Sequence, residues 1–153
     1  MVRVDFVALD FETTGYEYGG ANEPWQLGVA IVKNSKIVDT KEWFFGTPRT
    51  PDAEPIFDQW ESYYPVLVGQ RLVAHNIATE RTILTHLAPL TPWGPWTDTL
   101  AEARKRYKGL GDYSLGSLCA AFNCIPEIPG RTWHDGLYDA VACAQLALTA
   151  ELL

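Results

Sequence analysis

The sequence predicts an α/β domain built around a mixed sheet. Three apolar segments in the first 45 residues are separated by turn-like polar residues, which is typical of consecutive antiparallel strands. Further along, short apolar runs alternate with segments of helical spacing, and a helix between two strands implies a parallel crossover. A chain of 153 residues suits one domain with a substantial core, so we expect a single domain over residues 1–153.

Five strands are predicted from composition. The residues from Val2 are β-branched and apolar and give way to Thr and Gly at 13–15, which is typical of a strand that ends in a turn. The other strands are predicted over 26–32, 36–45, 71–75 and 96–98. Because the segment 71–75 is short and apolar, we expect it to be buried.

The helices are predicted from the spacing of large apolar residues and from end signals. They are expected over 56–68, 77–87, from Thr99 onward, 114–122 and about 136–153. Pro65 should kink the first of them or start a separate turn, because proline has no backbone N–H to donate. Thr99 and Glu102 have the spacing of a capping box, which would open the third helix.

Composition limits the classes of function. Hydrophobic residues make up 47% of the chain and charged residues 20%, as in ordinary folded proteins. No apolar run approaches the roughly 20 residues of a membrane helix and no signal-peptide pattern is present, so we expect a cytoplasmic protein without a membrane partner. The three cysteines show no Cys-x-x-Cys spacing, which argues against a zinc site and against a disulfide framework.

The net charge of −7 argues against tight duplex binding through a broad basic face. It does not exclude nucleic acid as a partner. An enzyme that grips one strand end through bound metal ions can itself be acidic, because the ions supply the local positive charge.

Two acids lie at the end of the first predicted strand. Side chains alternate along a strand, so Asp10 and Glu12 face the same side while Phe11 faces the other. Two close carboxylates repel each other unless a proton or cation lies between them, and a hard divalent ion is the usual solution. Taken alone, the pair would more often be a solvated strand end.

Two further acids follow at predicted helix starts. Glu80 comes five residues after His75, in the first turn of the helix that follows the fourth strand. Asp139 comes five residues after His134, at the start of the last helix. Taken singly, each acid is typical of a solvated first turn favoured by the helix dipole, and His134 is typical of a surface histidine.

Taken together, these segments resemble a known family. The segments are Leu-Asp-Phe-Glu-Thr-Thr-Gly at 9–15, Val-Ala-His-Asn at 73–76 and the pair His134 and Asp139 with its spacing. They are similar to the three motifs of DnaQ-like 3′-5′ exonucleases, in their DEDDh branch. Other similar segments extend the resemblance over almost the whole chain. It implies a ribonuclease H-like fold, in which a mixed five-stranded sheet, with its first three strands antiparallel, carries helices on both faces.

The resemblance also implies a catalytic site. Asp10, Glu12, Glu80 and Asp139 would hold two Mg²⁺ or Mn²⁺ ions, and His134 would take a proton from the attacking water. The family normally has Asp where this chain has Glu80, and one extra methylene moves a carboxylate by about 1.5 Å. We keep Glu80 as a ligand and expect Glu80→Asp to keep or raise activity; a fall in rate would indicate a backbone adjusted to the longer side chain.

Substrate contacts are expected on both sides of this site. Thr13 and Thr14 would offer backbone N–H or hydroxyl groups to the 3′-terminal nucleotide, as the family's first motif does, although simple turn formation explains them equally well. Asn76 is a candidate substrate contact, but it and His75 could instead brace the second motif.

Three other side chains are considered for the site. Trp133 and Trp25 could stack on a base, although most of the six tryptophans should lie in the core. Asp98 is an alternative metal ligand, but capping of the helix that follows it is favoured.

The leading interpretation is a metal-dependent 3′-5′ exonuclease that releases nucleoside monophosphates from single-stranded 3′ ends. DNA is favoured over RNA, in proofreading or repair, and a DNA polymerase is a candidate partner. The alternative is a weak or silent module that binds nucleic acid or a polymerase, with Glu80 as a sign of decay. Retention of the other three acids and of His134 argues against decay.

Overall fold

The computed structural model describes residues 2–16 and 22–153. Five strands form one sheet in the order β3-β2-β1-β4-β5. The strands are β1 (Phe6–Thr13), β2 (Pro24–Lys33), β3 (Lys36–Phe44), β4 (Leu72–Ala74) and β5 (Trp96–Asp98). β2 pairs antiparallel with both β1 and β3, whereas β4 pairs parallel with both β1 and β5. The predicted mixed sheet, with its first three strands antiparallel, is confirmed.

The described helices match the predicted positions. A 3₁₀ helix covers Ile56–Gln59, and the α-helices are α1 (Trp60–Leu67), α2 (Ala78–Leu87), α3 (Thr99–Arg106), α4 (Leu115–Ala121) and α5 (Gly136–Thr149). Pro65 lies inside α1 and does not start a separate turn. Since Pro65 and Glu61 are both exposed, the carbonyl group of Glu61 that proline leaves without a donor can bind water.

The predicted capping box at the start of α3 is wrong by one residue. Asp98 is the N-cap, and its carboxylate accepts hydrogen bonds from the backbone N–H groups of Leu100 and Ala101. Thr99 is fully buried, and its Oγ1 lies 2.8 Å from Nδ1 of His75. Because Thr99 is buried, the capping role falls to Asp98, and the favoured interpretation of Asp98 as a helix cap is confirmed.

Helices cover both faces of the sheet. The odd-numbered side chains of 7–11 pack into a core with α1 and α2. The even-numbered side chains of 6–8 pack into a second core with α5. Helices α3 and α4 pack against a further side of α5. Asp10 and Glu12 continue the even-numbered face of β1, so they point toward α5.

The first residue of α5 lies very close to the sheet. Gly28 of β2 is paired with Asp10, and a Cβ atom added to Gly28 would lie 2.2 Å from the carbonyl carbon of Gly136. Only glycine leaves room for this approach. Because Asp139 lies almost one helical turn further on, the contact brings it close to the end of β1.

Two further features concern the helices. Cys119 and Cys143 are buried on α4 and α5, and both are free thiols. In the described part of the chain, no helix is long and apolar enough to cross a membrane.

Candidate active site

Three of the predicted acids meet beside the end of β1. One carboxylate oxygen from each of Asp10, Glu12 and Asp139 lies within 4.8 Å of the other two. β1 supplies two of these residues and the first turn of α5 supplies the third. We call these residues the three-acid cluster. It joins two elements that lie far apart in the sequence.

Two buried oxygens of the three-acid cluster have no hydrogen-bond donor in the described part of the chain. Asp10 Oδ2 and Asp139 Oδ1 are buried and have no partner among the described residues. Burial and then repulsion by Glu12 raise the pKa of Asp139 to about 7. Burial and then contact with Glu12 likewise raise the pKa of Asp10 well above its ordinary value. Buried carboxylate oxygens without donors fit a hard divalent cation.

Glu80 lies outside the three-acid cluster. It is 4% exposed, and its Oε2 accepts the backbone N–H of Phe11 at 3.0 Å. Burial raises the pKa of Glu80 to about 7, although the hydrogen bond from Phe11 opposes this shift. The pairing of β4 with β1 ends at Val73 and Ala8, so Phe11 lies beyond it and Glu80 supplies the acceptor for its N–H group.

His134 lies on the loop before α5. Its side chain is exposed, its backbone φ is 69°, and its backbone N–H donates to Asp139 Oδ2 at 3.3 Å. A left-handed φ is uncommon for a residue other than glycine, and such conformations concentrate at functional sites. The loop thus holds the His134 backbone against Asp139 and leaves the imidazole at the surface.

Arg131 fastens this loop to the sheet, and sequence reasoning missed it. Its guanidinium forms two hydrogen bonds with Glu42 of β3, at 2.6 and 3.0 Å, and an ion pair with Asp135 at 3.1 Å. Asp135 caps α5 by accepting the backbone N–H of Tyr138. Because Glu42 and Arg131 are 89 residues apart, no local pattern could have indicated the contact.

The segment after β4 is braced by hydrogen bonds. Both ring nitrogens of His75 have partners at 2.8 Å, Nδ1 with Thr99 Oγ1 and Nε2 with the carbonyl oxygen of Tyr113. Asn76 has an exposed side chain and a left-handed backbone, and its N–H donates to Asp98 Oδ1 at 2.8 Å. His75 therefore braces the segment, and Asp98 is already occupied by backbone donors.

An open groove lies between the end of β1 and α2. Its lining includes hydroxyl groups and one exposed aromatic ring, from Thr13, Tyr16, Asn22, Ala78, Thr79, Thr82 and Ile83. We call it the β1–α2 groove. Thr13 directly follows Glu12, so the groove lies at the end of the strand that carries Asp10 and Glu12. Thr14 is buried, and its hydroxyl oxygen accepts the backbone N–H of Glu23.

The two candidate tryptophans pack against other protein groups. Trp133 meets Tyr138 edge-on, with ring centroids 4.9 Å apart. Trp25 stacks with Phe44 at 6.3 Å, and the guanidinium of Arg49 lies 4.3 Å from the Trp25 ring centroid. Neither ring is among the described residues that line the β1–α2 groove.

Comparison with known sequences gives one informative similarity. No family model matches the chain. The DNA polymerase III PolC-type of Caldanaerobacter subterraneus subsp. tengcongensis is 30% identical over 162 residues, an alignment that covers 93% of this chain and 11% of that polymerase. The chain therefore spans about a tenth of the length of this relative.

Solved exonuclease structures share the fold. Exonuclease X in complex with 5′ overhanging duplex DNA has a TM-score of 0.69 and 23% identity, and the match covers 93% of this chain and 88% of that one. The nuclease domain of 3′hExo, a DEDDh family member bound to rAMP, has a TM-score of 0.73 and 16% identity, with 95% and 90% covered. The predicted ribonuclease H-like fold is therefore confirmed, and the chain is similar in fold to DEDDh exonuclease structures over almost its whole length.

Proposed function

We propose that this protein is a metal-dependent 3′-5′ exonuclease that hydrolyses phosphodiester bonds and releases nucleoside monophosphates. The observation that carries the proposal is the three-acid cluster, in which two buried carboxylate oxygens have no hydrogen-bond partner among the described residues. Such an arrangement is unfavourable until a cation joins it. The fold shared with exonuclease structures supports this reaction class.

Asp10, Glu12 and Asp139 would hold a divalent ion, Mg²⁺ or Mn²⁺. Glu80 would contribute to a second ion through the oxygen that does not accept from Phe11. Paired divalent ions in such sites lower the pKa of bound water and stabilise the charge that develops on the phosphate. Four carboxylates would then roughly balance the charge of two ions.

His134 is proposed to take a proton from the attacking water. Histidine is the side chain that most often transfers protons near neutral pH. The His134 imidazole is exposed on a loop whose backbone is anchored to Asp139. The ion pair between Arg131 and Asp135 limits the movement of this loop, which would keep the imidazole near the reacting phosphate.

The β1–α2 groove would hold the 3′-terminal nucleotide. Thr13 and Thr14 would offer polar groups to its sugar and phosphate, and the exposed ring of Tyr16 would stack on a base. Asn76 and Trp133 are proposed as further contacts to the strand. With an acidic protein and an open groove, a single-stranded 3′ end is the expected substrate.

DNA is proposed as the preferred substrate, with a role in replication or repair. The similarity to a DNA polymerase III supports this choice and makes a polymerase the proposed partner. One exonuclease of the same fold was solved bound to rAMP, so RNA substrates belong in the same test.

The test is release of a 3′-terminal label from a panel of oligonucleotides. The panel contains DNA and RNA, single- and double-stranded, each with Mg²⁺, Mn²⁺ or a chelator. We expect labelled mononucleotide from single-stranded DNA with either ion and none with the chelator or with Asp10→Asn. Binding of Mn²⁺ without release from any substrate would contradict the proposal.

A second candidate function is a silent module that binds a strand end. The hydrogen bond from the backbone N–H of Phe11 to Glu80 favours the silent module, because it occupies one oxygen of a side chain that was expected to bind metal. This candidate predicts that a labelled single strand binds without being shortened and that Asp10→Asn leaves the chain length of the bound strand unchanged.

A further inference from the structure

Gln26 lies beside the three-acid cluster but has no part in the proposed reaction. It is paired with Glu12 across β1 and β2, so the two side chains lie on the same face of the sheet. Gln26 is only 1% exposed. Burial of a primary amide is unfavourable unless its polar atoms find partners, so its contacts indicate what it does.

Gln26 holds the first residue of α5. Its Oε1 accepts the backbone N–H of Gly136 at 2.8 Å. The N–H donor fixes the orientation of the amide, because only the oxygen can accept. The first N–H groups of a helix have no partner within the helix, so the sheet itself supplies an acceptor for α5 through this side chain.

This contact lies where α5 and the sheet are closest. A Cβ atom added to Gly136 would lie 3.2 Å from the carbonyl oxygen of Asp10 and 3.1 Å from Cδ of Gln26. The first turn of α5 therefore has little room to approach further, and the hydrogen bond prevents it from moving away. Asp139 belongs to the same turn, so its distance from Asp10 depends on this anchor.

The other end of the amide points to the same role. Gln26 Nε2 is buried and has no hydrogen-bond partner among the described residues, as is also true of one oxygen on each of Asp10 and Asp139. A group of unpaired donors and acceptors at one place indicates a site that is completed by something that it binds.

We propose that Gln26 is a positioning residue: it holds the N-terminus of α5 against the sheet and so sets the geometry in which Asp139 joins Asp10 and Glu12. The inference rests on the proposed function, because it assigns Gln26 to the metal site of that reaction. Gln26 acts through its hydrogen bond with Gly136.

Three substitutions separate the contact from general stability. Gln26→Met removes the acceptor and keeps the side-chain length, Gln26→Asn shortens the amide by one methylene, and Gln26→Glu keeps an acceptor within reach of Gly136. Tyr63→Phe is the matched control, since it removes another hydrogen bond from a buried side chain, to the carbonyl oxygen of Ile56, in the other core.

The readouts are Mn²⁺ affinity by calorimetry and hydrogen exchange of the Gly136 amide. We expect Gln26→Met and Gln26→Asn to weaken Mn²⁺ binding by about tenfold, the usual scale for residues that orient metal ligands, and to speed exchange at Gly136. Gln26→Glu should bind Mn²⁺ nearly as the wild type does. Tyr63→Phe should lower the melting temperature without changing either readout.

Two results would overturn the proposal. One is wild-type Mn²⁺ affinity in a folded Gln26→Asn protein with an unprotected Gly136 amide. The other is a Gln26→Glu protein that binds Mn²⁺ as weakly as Gln26→Asn, because the retained acceptor for the Gly136 N–H would then not support metal binding. If the wild type binds Mn²⁺ but releases no nucleotide, the proposed nuclease function is contradicted instead. The Mn²⁺ affinities of the Gln26 variants still decide whether Gln26 is a positioning residue.

Discussion

Asp98 and Asp10 occupy similar places in the sheet but have opposite surroundings. Each lies at or near the carboxyl end of a strand, β5 for Asp98 and β1 for Asp10. Asp98 accepts backbone N–H groups from Asn76 at 2.8 Å and Leu100 at 3.0 Å. Asp10 Oδ2 is buried and has no partner among the described residues. A carboxylate surrounded by donors stabilises the fold, whereas one without donors is available to a cation.

Glu80 and Asp139 extend this comparison to the helices. Both lie in a first helical turn, and burial raises the pKa of each to about 7. One buried oxygen of Asp139 has no partner within residues 2–16 and 22–153, whereas Glu80 accepts the backbone N–H of Phe11. The acids at this edge of the sheet therefore differ in function. Asp98 at the end of β5 stabilises the fold, whereas Asp10 on β1 is available to a cation, and substitutions can test each of these assignments.

The largest effect is expected from Asp10→Asn. It should reduce nucleotide release on the order of a thousandfold or more, since the metal loses a ligand shared with Glu12 and Asp139. It should also stabilise the metal-free protein, because a buried like charge is removed. Release of labelled nucleotide and urea unfolding in chelator measure the two effects. An active variant, or one less stable than wild type in chelator, would contradict the comparison.

Asp98→Ala should act on stability instead. Loss of the helix cap and of the acceptor for Asn76 is expected to cost about 2 kcal/mol in the free energy of unfolding. Mn²⁺ affinity should stay at the wild-type value, because Asp98 is not in the three-acid cluster. Urea unfolding and calorimetry measure the two quantities, with Asp98→Asn as the milder control. Weaker Mn²⁺ binding by the folded variant would show that Asp98 is a ligand after all.

Glu80→Asp is now expected to slow the reaction. The aspartate side chain is about 1.5 Å shorter, so its carboxylate cannot keep the 3.0 Å hydrogen bond from the Phe11 N–H without a shift of α2. We expect roughly a tenfold lower rate, the scale of a small misplacement near the reacting groups. Single-turnover release at saturating Mn²⁺ measures it. A rate equal to or above wild type would restore the view of Glu80 as a ligand displaced by one methylene.

The last prediction concerns the pH dependence of metal-free stability. The pKa of Asp139 rises from 3.8 in the unfolded chain to about 7 in the folded one, so the folded form binds more protons between these values. This contribution to stability is fully present below pH 3.8 and is lost as the pH rises through about 7. Urea unfolding in chelator measures the trend, and Mn²⁺ should reverse it. Metal-free stability that increases over this window would contradict the prediction.

Local patterns predicted the parts of the site that depend on one element. Alternation along β1 placed Asp10 and Glu12 on one face, because side-chain direction in a strand is fixed by the backbone. The arrival of Asp139 at the same place could not come from spacing alone. The family resemblance predicted it. In the structure, the close contact between Gly28 and Gly136 brings the start of α5 to the end of β1.

The remaining contacts depend on burial and on distant pairs. The Thr-x-x-Glu pattern at Thr99 suggested a cap, but the structure buries Thr99 under His75 and leaves the role to Asp98. The direction of the Glu80 carboxylate depends on a free N–H group of β1, 69 residues away. The anchor between Gln26 and α5 spans 110 residues, so only the folded chain reveals it.

Anomalous diffraction from crystals soaked in Mn²⁺ tests the central claim most directly. The claim predicts a manganese peak between the carboxylates of Asp10, Glu12 and Asp139 that is absent in Asp10→Asn crystals. No peak at the three-acid cluster, at a Mn²⁺ concentration that saturates binding in solution, would contradict it.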